Sequence, residues 1–180
     1  MKKIAIIGIV GLPANYGGFE SFTEQLVQRL WDQFALTVYC QKSAFRDHPQ
    51  KIGKVHLKYL PLKANGMQSI PYDMLGILDA LRYADTLLIL GVGGCTLLPL
   101  LRLLGCHKKI VVNIDGIEWR RAKWSKIARW YLHFAERCAV RFADSVVGDN
   151  QVIVDYVKTC YHRDCQLIEY GADNRKLVIS

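Results

Sequence analysis

Along this chain the apolar positions fall in blocks whose period switches repeatedly between that of a buried strand and that of a helix. Residues 4–7 are continuously apolar and largely β-branched, as in a strand covered on both faces. Phe22, Leu26, Leu30 and Phe34 then recur about one turn apart, which predicts an amphipathic helix over 19–34. Residues 36–40 form a second apolar run. The polar, basic stretch 41–54, with Pro49 and Gly53, reads as a surface loop before a third strand at 55–60, which Pro61 ends. A loop over 63–71 precedes a helix at 72–82, spaced through Leu75, Leu78 and Leu81.

The alternation continues with strands at 86–90 and 109–114 around a short apolar helix at 97–104. A long helix over 119–142, a strand at 145–147, a helix at 151–159 and a seventh strand at 166–169 complete it. Strands alternating with helices at this period predict an α/β fold with a doubly wound, mainly parallel, Rossmann-like sheet of about seven strands. Ligands of such sheets bind beyond the carboxyl ends of the strands, which places the loops 11–18, 91–94 and 115–118 on one rim. Residues 1–180 read as one domain. The chain stops soon after the seventh strand, with no final helix over the sheet edge, and a continuation is expected.

The loop after the first strand carries the densest chemistry. Gly17-Gly18 stands at the start of a helix, where backbone N–H groups can approach a phosphate-bearing ligand. Gly8-x-x-Gly11 is not the G-x-G-x-x-G dinucleotide fingerprint, and no G-K-[ST] follows Gly18. A tight turn that uses its glycines only for positive φ remains the competing explanation. An NAD-linked domain would place an acid just after the second strand, and Cys40-Gln41-Lys42 has none.

Composition narrows the context. The formal charge of +8 favours an acidic partner: nucleic acid, anionic bilayer or phosphorylated metabolite. No nucleic-acid reader motif accompanies the charge, so no nucleic-acid partner is expected. The six cysteines form no C-x-x-C pair and the five histidines lack ligand spacing, so no metal is expected and the thiols read as reduced and mostly buried. Because the first strand begins right after Lys3, with no apolar leader, a cytoplasmic location is expected. The uncharged stretch 86–101 is too short and too interrupted by glycine and proline to span a bilayer.

With these elements placed, Gly17-Gly18-Phe19-Glu20, Ile114-Asp115-Gly116, Ala143-Asp144-Ser145-Val146-Val147 and Tyr170-Gly171-Ala172-Asp173 follow the first strand in an order that resembles the N-terminal domain of family 4 glycosyltransferases. The rhamnosyltransferase-like branch, whose N-terminal segment was once catalogued as a domain of unknown function, looks most similar. The resemblance implies the acceptor-side half of a GT-B fold, with the C-terminal nucleotide-sugar-binding domain absent from this chain. It further implies transfer of a sugar, rhamnose among the candidates, from a nucleotide-sugar donor to a lipid-diphosphate-linked or other saccharide acceptor in cell-surface polysaccharide synthesis. The full-length protein would be the enzyme, the isolated chain inactive, and no cofactor is called for. A non-catalytic phospho-ligand-binding module is the alternative.

By the same resemblance, Gly17 and Gly18 match a Gly-Gly loop near the donor diphosphate. Asp115 and Gly116 match a strand-end position beside the acceptor, and Asn15, Tyr16, Glu20, Gly93, Gly94 and Glu118 are the further acceptor-binding candidates. Asp115 or its neighbour could instead cap the long helix. Two positions depart from the family pattern. Gly91-Val92-Gly93-Gly94 stands where relatives often have a histidine, and Gly148-Asp149-Asn150 where they often have a serine. No catalytic residue is therefore assigned.

On the long helix, Trp124, Ile127, Tyr131, Phe134, Cys138 and Phe142 form the expected core face. Lys126, Arg129, Trp130, His133, Arg137 and Arg141 fall opposite. Tryptophan in a basic field suits an interface between water and anionic lipid headgroups, with Lys126, Arg129, Trp130 and Arg137 as surface residues, and the lipid-linked acceptor that the resemblance implies would place them on the inner face of the cell membrane. A solvated helix face is the alternative.

Overall fold

The computed structural model describes residues 1–169 except Tyr16, Asp115 and Lys123. Its strands are β1 (Lys3–Ile7), β2 (Ala35–Gln41), β3 (Lys51–Ile52), β4 (Val55–Leu60), β5 (Thr86–Leu90), β6 (Lys109–Ile114), β7 (Ser145–Gly148) and β8 (Gln166–Leu167). They form one eight-stranded sheet in the order β3-β4-β2-β1-β5-β6-β7-β8. The helices are α1 (Gly18–Leu30), α2 (Ser69–Ala80), α3 (Leu98–Leu103), α4 (Lys126–Phe142) and α5 (Gln151–Tyr161). Every pairing is parallel except β3 with β4. The expected α/β sheet is thus present with one strand more, because β3 pairs only Lys51 and Ile52 around Gly53 and is too short for a period to show.

Alternation along the strands divides the core in two. Ala5 and Ile7 of β1 face Ile77 and Ala80 of α2, in a cluster that also takes in Leu98, Ala139 and Val157 of α3, α4 and α5. Ile6 points the other way, into a smaller cluster with Val38, Leu57 and Val27 of α1. Arg102 donates to the carbonyls of Cys106, Lys108 and Phe142 and pairs with Asp144 at 2.6 Å, tying α3 to the strands beside it. Among the described residues no helix is long and apolar enough to cross a membrane.

Two helices turn a different face inward from the one their spacing suggests. In α2 the buried side chains are Tyr72, Asp73, Ile77 and Ala80, whereas Leu75 and Leu78 are partly exposed. Tyr72 sets this rotation, since its buried hydroxyl donates to the Ile9 carbonyl at 2.9 Å. The long helix starts at Lys126 and not at 119, and its cap is Ser125, whose hydroxyl accepts from the Ala128 N–H, so the alternative in which Asp115 or its neighbour caps it gives way to Ser125. Its core face is Ala128, Leu132, Ala135, Cys138 and Ala139; of the residues expected there Cys138 is buried and Phe142 packs against the core, whereas Ile127 and Phe134 turn outward. Ile127 is 81% exposed and Phe134 48%. Small residues let α4 lie close to its neighbours, and a buried carboxylate fixes its angle: Glu136 Oε1 accepts from the hydroxyls of Tyr156 and Tyr161 and, at 3.4 Å, from Trp119 Nε1.

β1 has β2 on one side and β5 on the other, so the chain switches its direction of sheet growth there, and a crevice opens beyond the carboxyl ends of β1 and β5. The two strand ends touch at Gly8, where φ is +104° and a Cβ would lie 2.1 Å from the Leu90 carbonyl oxygen. Gly8→Ala is expected to cost more than about 3 kcal/mol in urea unfolding, because it combines a positive-φ strain with a backbone clash. Gly105→Ala, at φ +75° with open space around it, is expected to cost only about 1 kcal/mol.

Candidate functional site

The crevice at the switch point is a cleft of about 530 Å³. The loop after β1 contributes Gly8, Val10, Gly17 and Gly18, the loop after β5 contributes Gly91 to Gly93, and the segment after β6 contributes Gly116, Glu118, Arg121 and Trp124. Asn65, Ser69 and Asp73 close one side, and Asp149 after β7 another. The three loops expected to share a rim therefore meet. Of the residues singled out from sequence, Gly17, Gly18, Glu20, Gly93, Gly116 and Glu118 line the cleft, while Asn15 and Gly94 do not. Tyr16, Asp115 and the 170–173 motif lie outside the described residues.

Each lining group has a local reason to be where it is. Gly17, in extended conformation, precedes α1 without a capping side chain, so the first-turn N–H groups at this positive helix end have no cap from Gly17. Glu20 is buried and its Oε1 accepts from the Val10 N–H at 2.8 Å, which makes it the anchor of the loop. Glu118 likewise holds the segment after β6: it accepts from Trp124 Nε1 at 2.9 Å and pairs with Arg121 Nε at 2.8 Å. Asp149 takes a hydrogen bond from Asn150 at 2.7 Å, and its carboxyl is raised by burial, with that bond opposing.

Asp73 is the residue that reasoning from sequence missed. It sits in the first turns of α2, 5% exposed, with Oδ1 buried and lacking a hydrogen-bond partner. The Gly93-Gly94 pair makes room for it, since a Cβ at Gly94 would lie 2.6 Å from Asp73 Cβ and one at Gly93 2.8 Å from Asp73 Oδ2. Two adjacent glycines after a strand were the only sequence signal, and they name the space without naming its occupant. Burial pushes the Asp73 carboxyl up to about 8, against the lowering effect of the Gly94 N–H that it accepts.

The basic face of α4 is rearranged relative to expectation. Lys126, Arg137 and Arg141 are exposed and Trp130 is 71% exposed, stacked on Phe134 with centroids 6.1 Å apart. Arg129 does not belong with them: it is partly buried and reaches back to the Ala122 carbonyl at 3.5 Å. Ile127 and Phe134 take its place, so cations and large apolar groups share one outward face. A larger open groove of about 870 Å³ runs along the β2–β4 edge past Lys3, His56 and Lys58, away from the switch point. Among the described residues no cluster of His, Cys, Asp and Glu is arranged to hold a metal.

Residues 1–173 match the family described as "Domain of unknown function (DUF1972)". No curated protein sequence matches the chain. A solved structure of sucrose-phosphate synthase from Thermosynechococcus elongatus superposes with a TM-score of 0.71 at 14% identity, covering 94% of this chain and 48% of that one. The chain thus spans about half of that protein's length. The likeness establishes the fold as similar to one half of a GT-B glycosyltransferase.

Asp73 yields a pH signature. Below about pH 4 folded and unfolded chains both hold its proton. Above that the unfolded chain releases it while the folded one keeps it until about pH 8, so stability falls across this interval and levels off beyond it. The expected slope is up to roughly 1.4 kcal/mol per pH unit. Asp73→Asn, which cannot ionise, should lack this fall, so the difference between the two stability curves measured from pH 4 to 9 should shift steadily in the variant's favour up to about pH 8; parallel curves would show that Asp73 titrates normally.

Proposed function

The chain belongs to the DUF1972 family, and from that membership and the cleft at its switch point we propose that it is the acceptor-side half of a glycosyltransferase. The donor would be a nucleotide-sugar, rhamnose a candidate sugar, and the acceptor a saccharide carried on a lipid diphosphate at the inner face of the cell membrane during surface-polysaccharide synthesis. The fold likeness to a sucrose-phosphate synthase supports a transferase half. The observation that carries the acceptor assignment is the carboxyl-rich lining of the cleft: Glu20, Glu118, Asp149 and the proton-holding Asp73 stand against the single guanidinium of Arg121, among the described residues. Carboxyl groups accept hydrogen bonds from sugar hydroxyls and repel phosphate.

Phosphate is left to the first turn of α1 at Gly17 and Gly18, an electropositive helix start on the cleft wall, facing where a second domain would bring the donor. Asp73 and Asp149 are the carboxyls best placed to bind acceptor hydroxyls, since Glu20 and Glu118 are engaged in holding their loops. In a transfer through an oxocarbenium-like centre, this half orients the attacking hydroxyl and excludes water, and the departing diphosphate is stabilised from the helix end.

The outward face of α4 supports a membrane location, with Trp130 and Phe134 entering the headgroup region and Lys126, Arg137 and Arg141 meeting anionic lipids. Each cation near such a surface contributes about 1 kcal/mol, so Arg137→Ser with Arg141→Ser should weaken sedimentation with anionic vesicles by roughly tenfold or more. Sedimentation independent of those charges would remove the membrane location. For activity, the full gene product is offered a nucleotide-sugar panel with a lipid-diphosphate-linked saccharide. Sugar transfer is expected with one donor, and Asp73→Asn should lower kcat/KM at least tenfold; absence of transfer with every donor and acceptor would refute the reading.

A further inference from the structure

An apolar groove of about 400 Å³ runs between the start of α2 and the start of α4, walled by Met67, Ile70, Trp124, Ile127, Tyr131 and Leu132. Trp124, Leu132 and Ser69 line both this groove and the cleft, so the two are continuous. The polar tips of its aromatic residues are engaged elsewhere. Trp124 Nε1 donates to Glu118, and the Tyr131 hydroxyl donates to the Gly93 carbonyl at 2.8 Å and sits 3.0 Å from Thr96 Oγ1. What remains is a wall of ring faces and methylenes. Met67 and Ile127 form its outer lip and are 63% and 81% exposed, so apolar surface that burial would stabilise is left open to solvent.

We propose that this groove holds the hydrocarbon chain of a lipid-linked acceptor, leading it from the cleft to the outward face of α4. The inference rests on the lipid-diphosphate reading of the acceptor given above. A peptide laid here would leave backbone N–H and C=O groups unpaired, and a saccharide would lose hydrogen bonds to water, whereas an alkyl or prenyl chain loses nothing. The charge agrees: Arg121 stands at the cleft end, where a phosphate attached to the chain would lie, and the exposed Trp130 and Phe134 continue the apolar path along α4. The volume lies within the ~300–1,000 Å³ of small-molecule sites.

The test uses farnesyl diphosphate below its micellar concentration and inorganic diphosphate as the headgroup control, read by tryptophan emission, with Trp124→Phe identifying the reporter. Farnesyl diphosphate is expected to bind and shift the Trp124 signal, and inorganic diphosphate to leave it unchanged. Met67→Glu and Ile127→Glu, both at exposed positions, should each weaken farnesyl binding at least tenfold, and Leu103→Glu, at an exposed position of α3 away from the groove, by less than twofold. Equal binding of inorganic diphosphate, or unchanged affinity in Ile127→Glu, would overturn the proposal. So would an equal loss in Leu103→Glu, which signals general adsorption, or dimerisation abolished by Ile127→Glu, which makes a second copy the occupant. Should farnesyl binding fail while the full gene product still glycosylates a water-soluble saccharide, the groove is refuted and the transferase reading stands. Farnesyl binding without any sugar transfer sinks the reverse pair.

Discussion

The contact between the carboxyl ends of β1 and β5 is the constraint from which the site follows. Parallel neighbours normally diverge into their loops through side chains; here Gly8 lets the backbone after β1 pass so near Leu90 that no Cβ fits. With the two ends drawn together, the loop that leads to α1 and the loop that carries Gly91 to Gly93 become opposite walls of one cleft. The same economy of side chains recurs one layer out, where Gly93 and Gly94 admit Asp73 of α2. Topology sets the location of the crevice, and missing methyl groups set its width.

Inside that cleft the acidic groups divide by what they already hold. Glu20 and Glu118 spend their oxygens on Val10, Trp124 and Arg121, and so convert glycine-rich connections into fixed walls. Asp73 has a buried oxygen with no partner and keeps its proton well above the ordinary carboxylate range because the interior disfavours the charge. A protonated or hydroxyl-paired carboxyl under a glycine ceiling suits recognition of a neutral polyol far better than of a phosphate. In the proposed reading anion affinity falls instead to backbone N–H groups at the start of α1, which carry no formal charge and add none to the cleft.

α4 joins the site to the surface. Glu136, held by Tyr156, Tyr161 and Trp119, fixes this helix against α5 and the segment after β6, so the orientation of its outer face is coupled to the cleft wall. Alanines line its inner side, and the bulky residues are left outside among lysine and arginine. Under the proposed lipid-linked acceptor, that outward arrangement would place the apolar surface and the positive charge where the bilayer is met.

Much of the architecture was written in the chain one residue at a time. Apolar runs of strand length, one-turn spacing and glycine punctuation determined the β-α alternation, the mainly parallel sheet and the gathering of three loops on one rim, because strand burial and turn chemistry are local properties. Side-chain orientation on the helices was not local: Leu75, Ile127 and Phe134 look like core by spacing and stand outside, since Tyr72 hydrogen-bonds to Ile9 and alanine packs closer than leucine. The two-residue β3 carries too few positions for any pattern. Asp73 was equally hidden, because its importance arises only when α2 is laid under the loop after β5, and that contact joins residues distant in sequence. The chain by itself decided which elements form and where their ends meet; tertiary packing alone decided which faces are buried and which carboxyl stands without a partner, since burial is a property of neighbours and not of the residue.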